Sequence, residues 1–357
     1  LSVTEDWDAG AGTFTLTFTQ TTAPTPGQAE KPARVIPVAV GLLNPNGDEV
    51  VPTTVLEMTQ TTQSFRFDGL AARPVASILR GFSAPVVLER AVSAKERAFL
   101  LAHDTDPFNK WEAGRALTKD VMAEMVLKGV QPARAWGDAV AAVTFDDSLD
   151  PAFRALCLRL PGEDDMAQTI HAMGRIPDPA KIHSARSEMA GALAIRLGAG
   201  LHGLYDAFDE DQAFSPSAEQ AGRRALRLAA LALLARRDGG KLAAVAYAEA
   251  GSMTEEIGAL AALLDVGRGQ DQLAVFAGRW ASDANVMDKW YALQIAHAEP
   301  TEAVALTERL CQRPDFDWKN PNRFRSVIGT FAANHAGFHH RSGEGYRLVA
   351  DWLLRMD

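Results

Sequence analysis

The stretch NPNRFRSVIGTFAANH, residues 320–335, shows most directly how the C-terminal part of this chain folds. Asn320 followed by Pro321 is a typical helix start, because an Asn side chain accepts a hydrogen bond from a first-turn N–H and Pro is favoured at the first helical position. Apolar residues then recur at the spacing i, i+3, i+4 and i+7, which is one face of an amphipathic helix: Phe324, Val327, Ile328 and Phe331. The stretch therefore predicts a helix that packs through this face.

The polar face of the first turn carries two arginines, Arg323 and Arg325. Cations at this end oppose the helix dipole unless an anion lies alongside. Two guanidinium groups beside the N–H groups of a helix start predict a carboxylate-binding corner. The alternative is an ordinary ion pair of either arginine with Asp315 or Asp317, and the sequence leaves both interpretations open.

A second stretch, VMDKWYALQIA at residues 286–296, also has helical spacing. Val286, Trp290 and Leu293 are predicted to form its buried stripe. Asp288 and Lys289 lie off that stripe, so we expect both side chains on the polar face.

The helical period extends outward from these stretches as far back as Ser93. Ser93-x-x-Glu96 is a capping box that predicts the first helix. A cap residue followed by Pro then recurs along the chain and predicts new helix starts: Asp106-Pro107, Asp150-Pro151, Asp178-Pro179, Ser215-Pro216 and Asn320-Pro321. Roughly a dozen helices with short connections predict an all-α, solenoid-like array over residues 91–357.

Residues 1–90 have a strand period instead. TFTLTFTQ, residues 13–20, alternates aromatic or aliphatic residues with threonines, which predicts a half-buried strand. Six further short strands are predicted, at residues 35–43, 49–52, 54–60, 64–67, 75–82 and 86–89. Seven or so strands without an intervening helix predict a small antiparallel sandwich.

Composition excludes several classes of protein. The chain has 357 residues, a formal net charge of −9 and a sequence pI near 5.5, which argues against nucleic acid or an anionic membrane as a partner. Cys157 and Cys311 lie far apart and form no CxxC pair, which favours a reducing, cytoplasmic setting. Apolar runs are too short to predict a membrane span.

Several segments together resemble a known family. VMDKWYALQIA, KNPNRFRSVIGTFAANH (residues 319–335) and FHHRSGEGY (residues 338–346) resemble, in order and spacing, the C-terminal part of bacterial aminopeptidase N, a zinc-dependent gluzincin aminopeptidase. PGQAEKPARVIPVAVGLL, SFRFDGL and FSAPVVLER, which begin at residues 26, 64 and 82, resemble the small β-domain of the same family. The resemblance implies an immunoglobulin-like β-sandwich followed by a superhelical array that lies over a catalytic domain.

The motifs that carry the family's chemistry are absent from this sequence. A gluzincin binds zinc through HExxH and a later Glu, and neither HExxH nor the substrate motif GxMEN occurs. Of the eight histidines only His335, His339 and His340 cluster, and no carboxylate or thiol at ligand spacing accompanies them. We therefore expect no catalytic residue, metal ligand or cofactor in this chain, and we expect zinc to belong to the parent enzyme.

The resemblance implies that this region lines a substrate channel and does not carry out the reaction. It places the MDKW and NPNR-x-R segments towards the catalytic domain and the substrate channel. The residues so implicated, at the channel or the domain interface, are Asp288, Lys289, Asn322, Arg323 and Arg325. The implied partners are the catalytic domain of the same parent chain and a peptide substrate. The parent would be a cytoplasmic hydrolase of peptide catabolism.

Three further expectations follow from the sequence. The alternative function is that of an independent helical-repeat scaffold for protein–protein interaction. The start LSVTEDWD without Met and the end DWLLRMD within a helical pattern predict a piece of a longer protein. Leu348, Trp352 and Leu353 are predicted to share a partly bare face that frays or mediates self-association.

Overall fold

The computed structural model describes residues 1–208 and 214–356. They divide into two units, Leu1–Asp120 and Val121–Asp357. The first unit contains all the strands of the described residues and the start of the helical region. The second unit contains helices throughout its described part.

The first unit is built from two three-stranded antiparallel sheets. The strands are β1 Ser2–Asp8, β2 Thr13–Thr19, β3 Ile36–Leu43, β4 Glu49–Met58, β5 Thr62–Phe67 and β6 Val75–Ile78. One sheet has the order β1-β2-β5 and the other has the order β4-β3-β6. The predicted alternation in β2 is confirmed, because Phe14, Leu16 and Phe18 are fully buried between the threonines. These three side chains pack in one core with Val38, Val40, Leu42 and Met58 of the other sheet.

The strand predictions were wrong in four places, of which the fourth is the end of β6. The N-terminal strand β1 was not predicted, although it pairs with β2 along its whole length. The two predicted strands on either side of Thr53 are one strand, β4, because shifts in register opposite β3 accommodate Pro52. Residues 86–89 form no strand and make only an isolated bridge between Ser2 and Glu89.

The predicted strand at residues 75–82 ends early, at Ile78, in a turn with a buried arginine. Arg80 is 3% exposed and contacts the carboxylates of Glu49 and Asp104, the latter at 3.0 Å. Its guanidinium lies against Gly41 of β3, where an added Cβ would meet Arg80 Cζ at 2.2 Å. Leu79 and Phe82 on either side have φ of 63° and 54°, a region that costs about 1–3 kcal/mol for each non-glycine residue. The buried ion pairs stabilise this strained turn.

The remainder of the described chain is helical. The helices are α1 Ala94–His103, α2 Pro107–Lys128, α3 Arg134–Thr144, α4 Pro151–Cys157, α5 Glu163–Ala172, α6 Pro179–Leu197, α7 Gly200–Ala207, α8 Ala218–Asp238, α9 Lys241–Glu249, α10 Met253–Leu264, α11 Gln270–Trp280, α12 Ala284–Ala296, α13 Ala303–Cys311, α14 Pro321–Phe324, α15 Thr330–Ala333, α16 His335–Phe338 and α17 Glu344–Met356. A π-helical segment, Arg325–Gly329, joins α14 to α15.

The sequence signals for helix starts are correct at all but one site. Ser93 and Glu96 make both hydrogen bonds of a capping box, and α2, α4, α6 and α14 begin at the predicted prolines. The exception is α8, which begins at Ala218 after the N-cap Ser217, two residues beyond Pro216. Helices that are adjacent in sequence pack together, such as α9 with α10 and α11 with α12, as in a helical-repeat array.

The predicted fold class, an immunoglobulin-like β-region followed by an all-α array, is therefore confirmed by the order and packing of these elements. Within the residues that the structure describes, no helix combines the length and the apolar character that crossing a membrane requires.

Candidate functional site

The two sequence stretches that carry the resemblance meet through one ion pair, between Asp288 of α12 and Arg323 of α14. The Nε atom of Arg323 donates to Oδ1 of Asp288 at 2.5 Å, and the two side chains are only 8% and 18% exposed. Asn320 caps α14 and accepts from the N–H groups of Asn322 and Arg323. The Asn-Pro start therefore sets the position of Arg323 in the first turn of α14.

The remaining nitrogen atoms of Arg323 also have partners within the chain. Nη1 donates to the carbonyl oxygen of Asp315 at 2.5 Å, and Nη2 donates to the carbonyl oxygen of Ala284 at 3.3 Å. The guanidinium lies 4.8 Å from the centre of the Tyr291 ring. Since all three nitrogens are used, Arg323 acts as a link between helices and does not offer its charge to a ligand.

This arrangement corrects the predicted ion pairs. Asp315 contacts Arg323 through its backbone only, while its carboxylate accepts from Arg313 Nε at 2.9 Å and from the Tyr291 hydroxyl at 2.8 Å. The carboxylate that pairs with Arg323 is Asp288, which the predicted pairs did not include. The buried stripe of α12 also differs from the prediction: Met287, Trp290, Tyr291 and Ile295 are buried. Trp290 was predicted correctly, but Val286 and Leu293 are only half-buried.

Ionisation of the Tyr291–Asp315–Arg313 group follows from its contacts. Burial raises the pKa of Tyr291 to about 12, and the hydrogen bond to Asp315 acts in the same direction. Burial alone would raise the pKa of Asp315, but the hydrogen bonds from Arg313 and Tyr291 outweigh it and hold that pKa below its usual value. The phenol is therefore neutral and donates, and Asp315 stays charged near neutral pH.

The other predicted site residues, Lys289, Asn322 and Arg325, are exposed. Arg325 Nη1 lies 3.4 Å from Asn322 Oδ1. No carboxylate lies within ion-pair distance of Arg325 or Lys289 in the part of the chain that the structure describes. The charges of these two residues are thus available for a ligand. Lys289 directly follows Asp288, and Arg325 lies two residues after Arg323.

The segment that holds Arg325 is a π-helix, in which one extra residue widens a helical turn. The predicted apolar stripe persists through it, because Val327, Ile328 and Phe331 are buried. Gly329 leaves room for the Arg325 side chain, since a Cβ there would lie 3.0 Å from Arg325 Cγ. Single π-turns inside α-helices occur frequently at functional sites, and here the turn begins at the predicted ligand-facing residue.

The histidine cluster does not fit a zinc site. The rings of His335 and His339 are 5.9 Å apart, and Nδ1 of His339 lies 2.7 Å from the Tyr346 hydroxyl. Nδ1 of His340 is engaged with Ser342. Among residues 1–208 and 214–356, no group of three His, Cys, Asp or Glu residues is placed to hold a metal ion. The donor set is thus two imidazoles and a phenol, without the carboxylate that completes a gluzincin site.

The C-terminal helix contradicts the prediction of a bare tryptophan. Trp352 is 6% exposed and packs on Phe316 at 5.7 Å and on Phe324 at 5.6 Å. Leu353 and Leu354 are 58% and 74% exposed. The tryptophan was wrongly grouped with Leu353, because the loop that precedes α14 covers one side of α17 and leaves the other side open.

Comparison with known proteins matches the strand region and the helical region to two family models. Residues 1–91 match a family described as a domain of unknown function with an Ig-like fold (DUF3458). Residues 94–357 match its companion, described as a domain of unknown function with ARM repeats (DUF3458_C). The chain belongs to this family.

Its relatives include curated aminopeptidases. The chain is 38% identical to aminopeptidase N of Caulobacter vibrioides over 327 residues, which is 89% of this chain and 37% of that protein. It is 33% identical to aminopeptidase N of Escherichia coli over an alignment of 378 positions, gaps included, that covers 100% of this chain and 42% of that protein. A crystal structure of Legionella pneumophila aminopeptidase A in complex with aspartic acid superposes with a TM-score of 0.84 at 25% identity, covering 98% of this chain and 41% of that one.

These matches confirm the resemblance to the C-terminal part of aminopeptidase N. The chain spans about two fifths of the length of the relatives it matches. Tyr291 and Arg313 are the site residues that the sequence did not predict, and Asp315 was predicted with other partners. The signal was present in the Arg-x-Asp spacing and in a tyrosine next to Trp290.

Proposed function

We propose that this chain is the non-catalytic C-terminal region of a zinc-dependent aminopeptidase that releases N-terminal residues from peptides. The observation that supports this is homology to aminopeptidase N along the whole chain. Bond cleavage would fall to another region of the parent, because the sequence has no HExxH motif and the described residues offer no three-ligand group. The sequence has two cysteines, Cys157 and Cys311, far apart and without a CxxC pair, so the cytoplasm is the proposed location.

Within the parent, the region's role is to enclose the substrate channel and to restrict access to it. Arg325 and Lys289 are exposed cations on the two segments that Asp288 and Arg323 hold together. An exposed guanidinium can bind a carboxylate through two parallel hydrogen bonds, whereas an ammonium acts as a point charge. Arg325 therefore binds the C-terminal carboxylate of a short peptide, and Lys289 adds to the positive potential.

The test compares substrates with and without that carboxylate on the full-length parent enzyme. We expect Arg325→Gln to raise KM for trialanine roughly tenfold, the loss of about 1.4 kcal/mol of binding to a charged partner, with kcat unchanged. Trialanine amide and alanyl p-nitroanilide should be hydrolysed as by the wild type. Arg341→Gln, at another exposed arginine, is the control. An equal effect of Arg325→Gln on trialanine and its amide would refute the role of Arg325.

The 357-residue chain by itself is predicted to have no aminopeptidase activity and no stoichiometric zinc. Metal analysis after extensive dialysis, together with an alanyl-substrate assay, measures both. A one-to-one zinc content with turnover that His335→Ala abolishes would overturn this assignment. A reading frame that starts with Met beside Leu1 would instead favour the helical-repeat scaffold.

A further inference from the structure

The first unit exposes a cluster of aromatic rings beside its strained turn. Phe82 is 60% exposed and Phe108, in the first turn of α2, is 38% exposed. Their rings meet edge to face at 5.4 Å, and Phe108 lies 6.0 Å from the half-buried Trp111. We name Phe82, Phe108 and Trp111 the aromatic patch.

The backbone at this patch is held in an unfavourable conformation. Leu79 and Phe82 are the two non-glycine residues with positive φ among the described residues. Glycine adopts this conformation without a steric penalty, and phenylalanine does not. Phe82 therefore raises the free energy of the folded chain for two reasons: its backbone conformation is strained and its ring is exposed to water. Such strain persists only where the surrounding contacts determine it.

Those contacts are present and do not involve the exposed ring faces. The N–H of Gly81 donates to Asp106 Oδ2 at 2.8 Å, and Asn109 Nδ2 donates to the carbonyl oxygen of Ile78 at 3.0 Å. Arg80, inside the same turn, is buried among acceptors. The DPFN segment at residues 106–109 and the turn thus hold Phe82 and Phe108 together whether or not anything covers them. The arrangement presents a preformed apolar surface.

From this geometry we infer that the aromatic patch is the docking surface for an apolar surface of the catalytic region of the same parent protein. This inference rests on the proposed function. The relatives are more than twice as long as the matched segment, so most of such a parent lies outside this chain. A permanent cost in free energy is best offset by a permanent partner, and a partner in the same polypeptide is present at a millimolar effective concentration. The Arg115 guanidinium lies 5.6 Å from the centre of the Trp111 ring, whereas the rings of Phe82 and Phe108 have no charged group over them in the described residues. The surface that matches these two rings is therefore apolar.

Hydroxyl-radical footprinting of the full-length parent and of the 357-residue chain tests the docking. In the parent we expect oxidation of Phe82 to slow roughly fivefold or more, because its exposure falls from 60% to the near-zero value of an interface core. Phe108 and Trp111 should be protected with it. Equal oxidation in both proteins would overturn the inference. Protection in the 357-residue chain that grows with concentration would also overturn it, since the partner would then be a second copy.

Two variants at position 82 separate the contribution of the ring from the contribution of the backbone strain. Phe82→Ala removes the ring and keeps a side chain at positive φ, whereas Phe82→Gly removes both. In the 357-residue chain, Phe82→Gly should have a higher urea midpoint than Phe82→Ala. In the parent, both variants should speed oxidation of Phe108 and Trp111 several-fold, while Val55→Ala, at a strand residue that is 61% exposed, should not. Unchanged oxidation in both Phe82 variants would refute the docking role.

Enzyme assays keep this inference distinct from the proposed function. If the parent hydrolyses alanyl substrates but the aromatic patch is unprotected, the proposed function stands and the docking inference fails. If the patch is protected but the parent has no peptidase activity, the docking inference stands and the proposed function fails.

Discussion

Asp288 and Arg323 lie 35 residues apart in the sequence and form a hydrogen-bonded ion pair of 2.5 Å in which the Arg323 side chain is 8% exposed. The pair ties the DKW segment of α12 to the first turn of α14. It leaves the neighbouring cations Lys289 and Arg325 exposed. The same contact thus stabilises the helical array and shapes the candidate site.

Removing one member of this pair should be costly. We expect Asp288→Asn to lower the free energy of unfolding by about 3 kcal/mol, because Arg323 would be left buried without a carboxylate. Urea unfolding of the 357-residue chain measures the change. Glu124→Gln, which breaks the exposed ion pair with Lys128, is the control and should cost about 0.3–0.5 kcal/mol. Equal costs for the two substitutions would show that the Asp288 pair is not a structural link.

A methyl group at Gly41 should be incompatible with the buried Arg80. The added Cβ would meet Arg80 Cζ at 2.2 Å, so the guanidinium would lose its contacts with Glu49 and Asp104. We expect Gly41→Ala to destabilise the first unit by about 3 kcal/mol. Gly191→Ala in α6 is the matched control, because its Cβ meets nothing within 4 Å. It should stabilise the chain by about 0.5–1 kcal/mol, and the same sign for both variants would contradict this account.

One histidine should make the stability of the second unit depend on pH. His183 Nδ1 lies 2.8 Å from Glu163 Oε1, and this hydrogen bond raises the pKa of His183 above its usual value of 6.5 even though burial opposes it. A raised pKa contributes stability that is fully present below pH 6.5 and is lost as pH rises through the folded-state pKa. We expect wild type to exceed His183→Asn by about 0.5 kcal/mol near pH 6, a small value because solvent screens a half-exposed pair.

The test of that dependence is urea unfolding between pH 5.5 and 8.5. The difference between wild type and His183→Asn should shrink across this range. Glu163→Gln is the control, because without the carboxylate the same histidine substitution should give a difference that no longer follows pH. A difference that grows as pH rises would reverse the sign of the coupling.

The tryptophan of the last helix should be a core residue. Trp352 packs on Phe316 and Phe324, so we expect Trp352→Ala to cost about 3–5 kcal/mol. Leu354→Ala, at a residue that is 74% exposed, should change stability by no more than about 0.5 kcal/mol. Thermal unfolding and amide hydrogen exchange of α17 measure both. If α17 exchanges as freely in the wild type as in Trp352→Ala, then the helix frays as first predicted.

Local signals predicted much of the architecture. The alternation of Phe14, Leu16 and Phe18 requires a strand with one buried face, and it was read correctly because the period of side chains in a strand is a property of the backbone. Asn320 and Pro321 marked a helix start correctly, because capping depends on residues within one turn. The π-turn at Arg325 was not predicted, since no local propensity distinguishes it from the α-helix around it.

The sequence by itself determined the change from strand period to helix period near Ser93, most helix starts, and the absence of HExxH from these 357 residues. Each of these depends on residues close together along the chain. Only the tertiary structure decided that Asp288 pairs with Arg323 and that Trp352 is covered. Both outcomes depend on contacts between separate elements, and the packing of whole helices decides which of several nearby carboxylates or aromatic rings comes within reach.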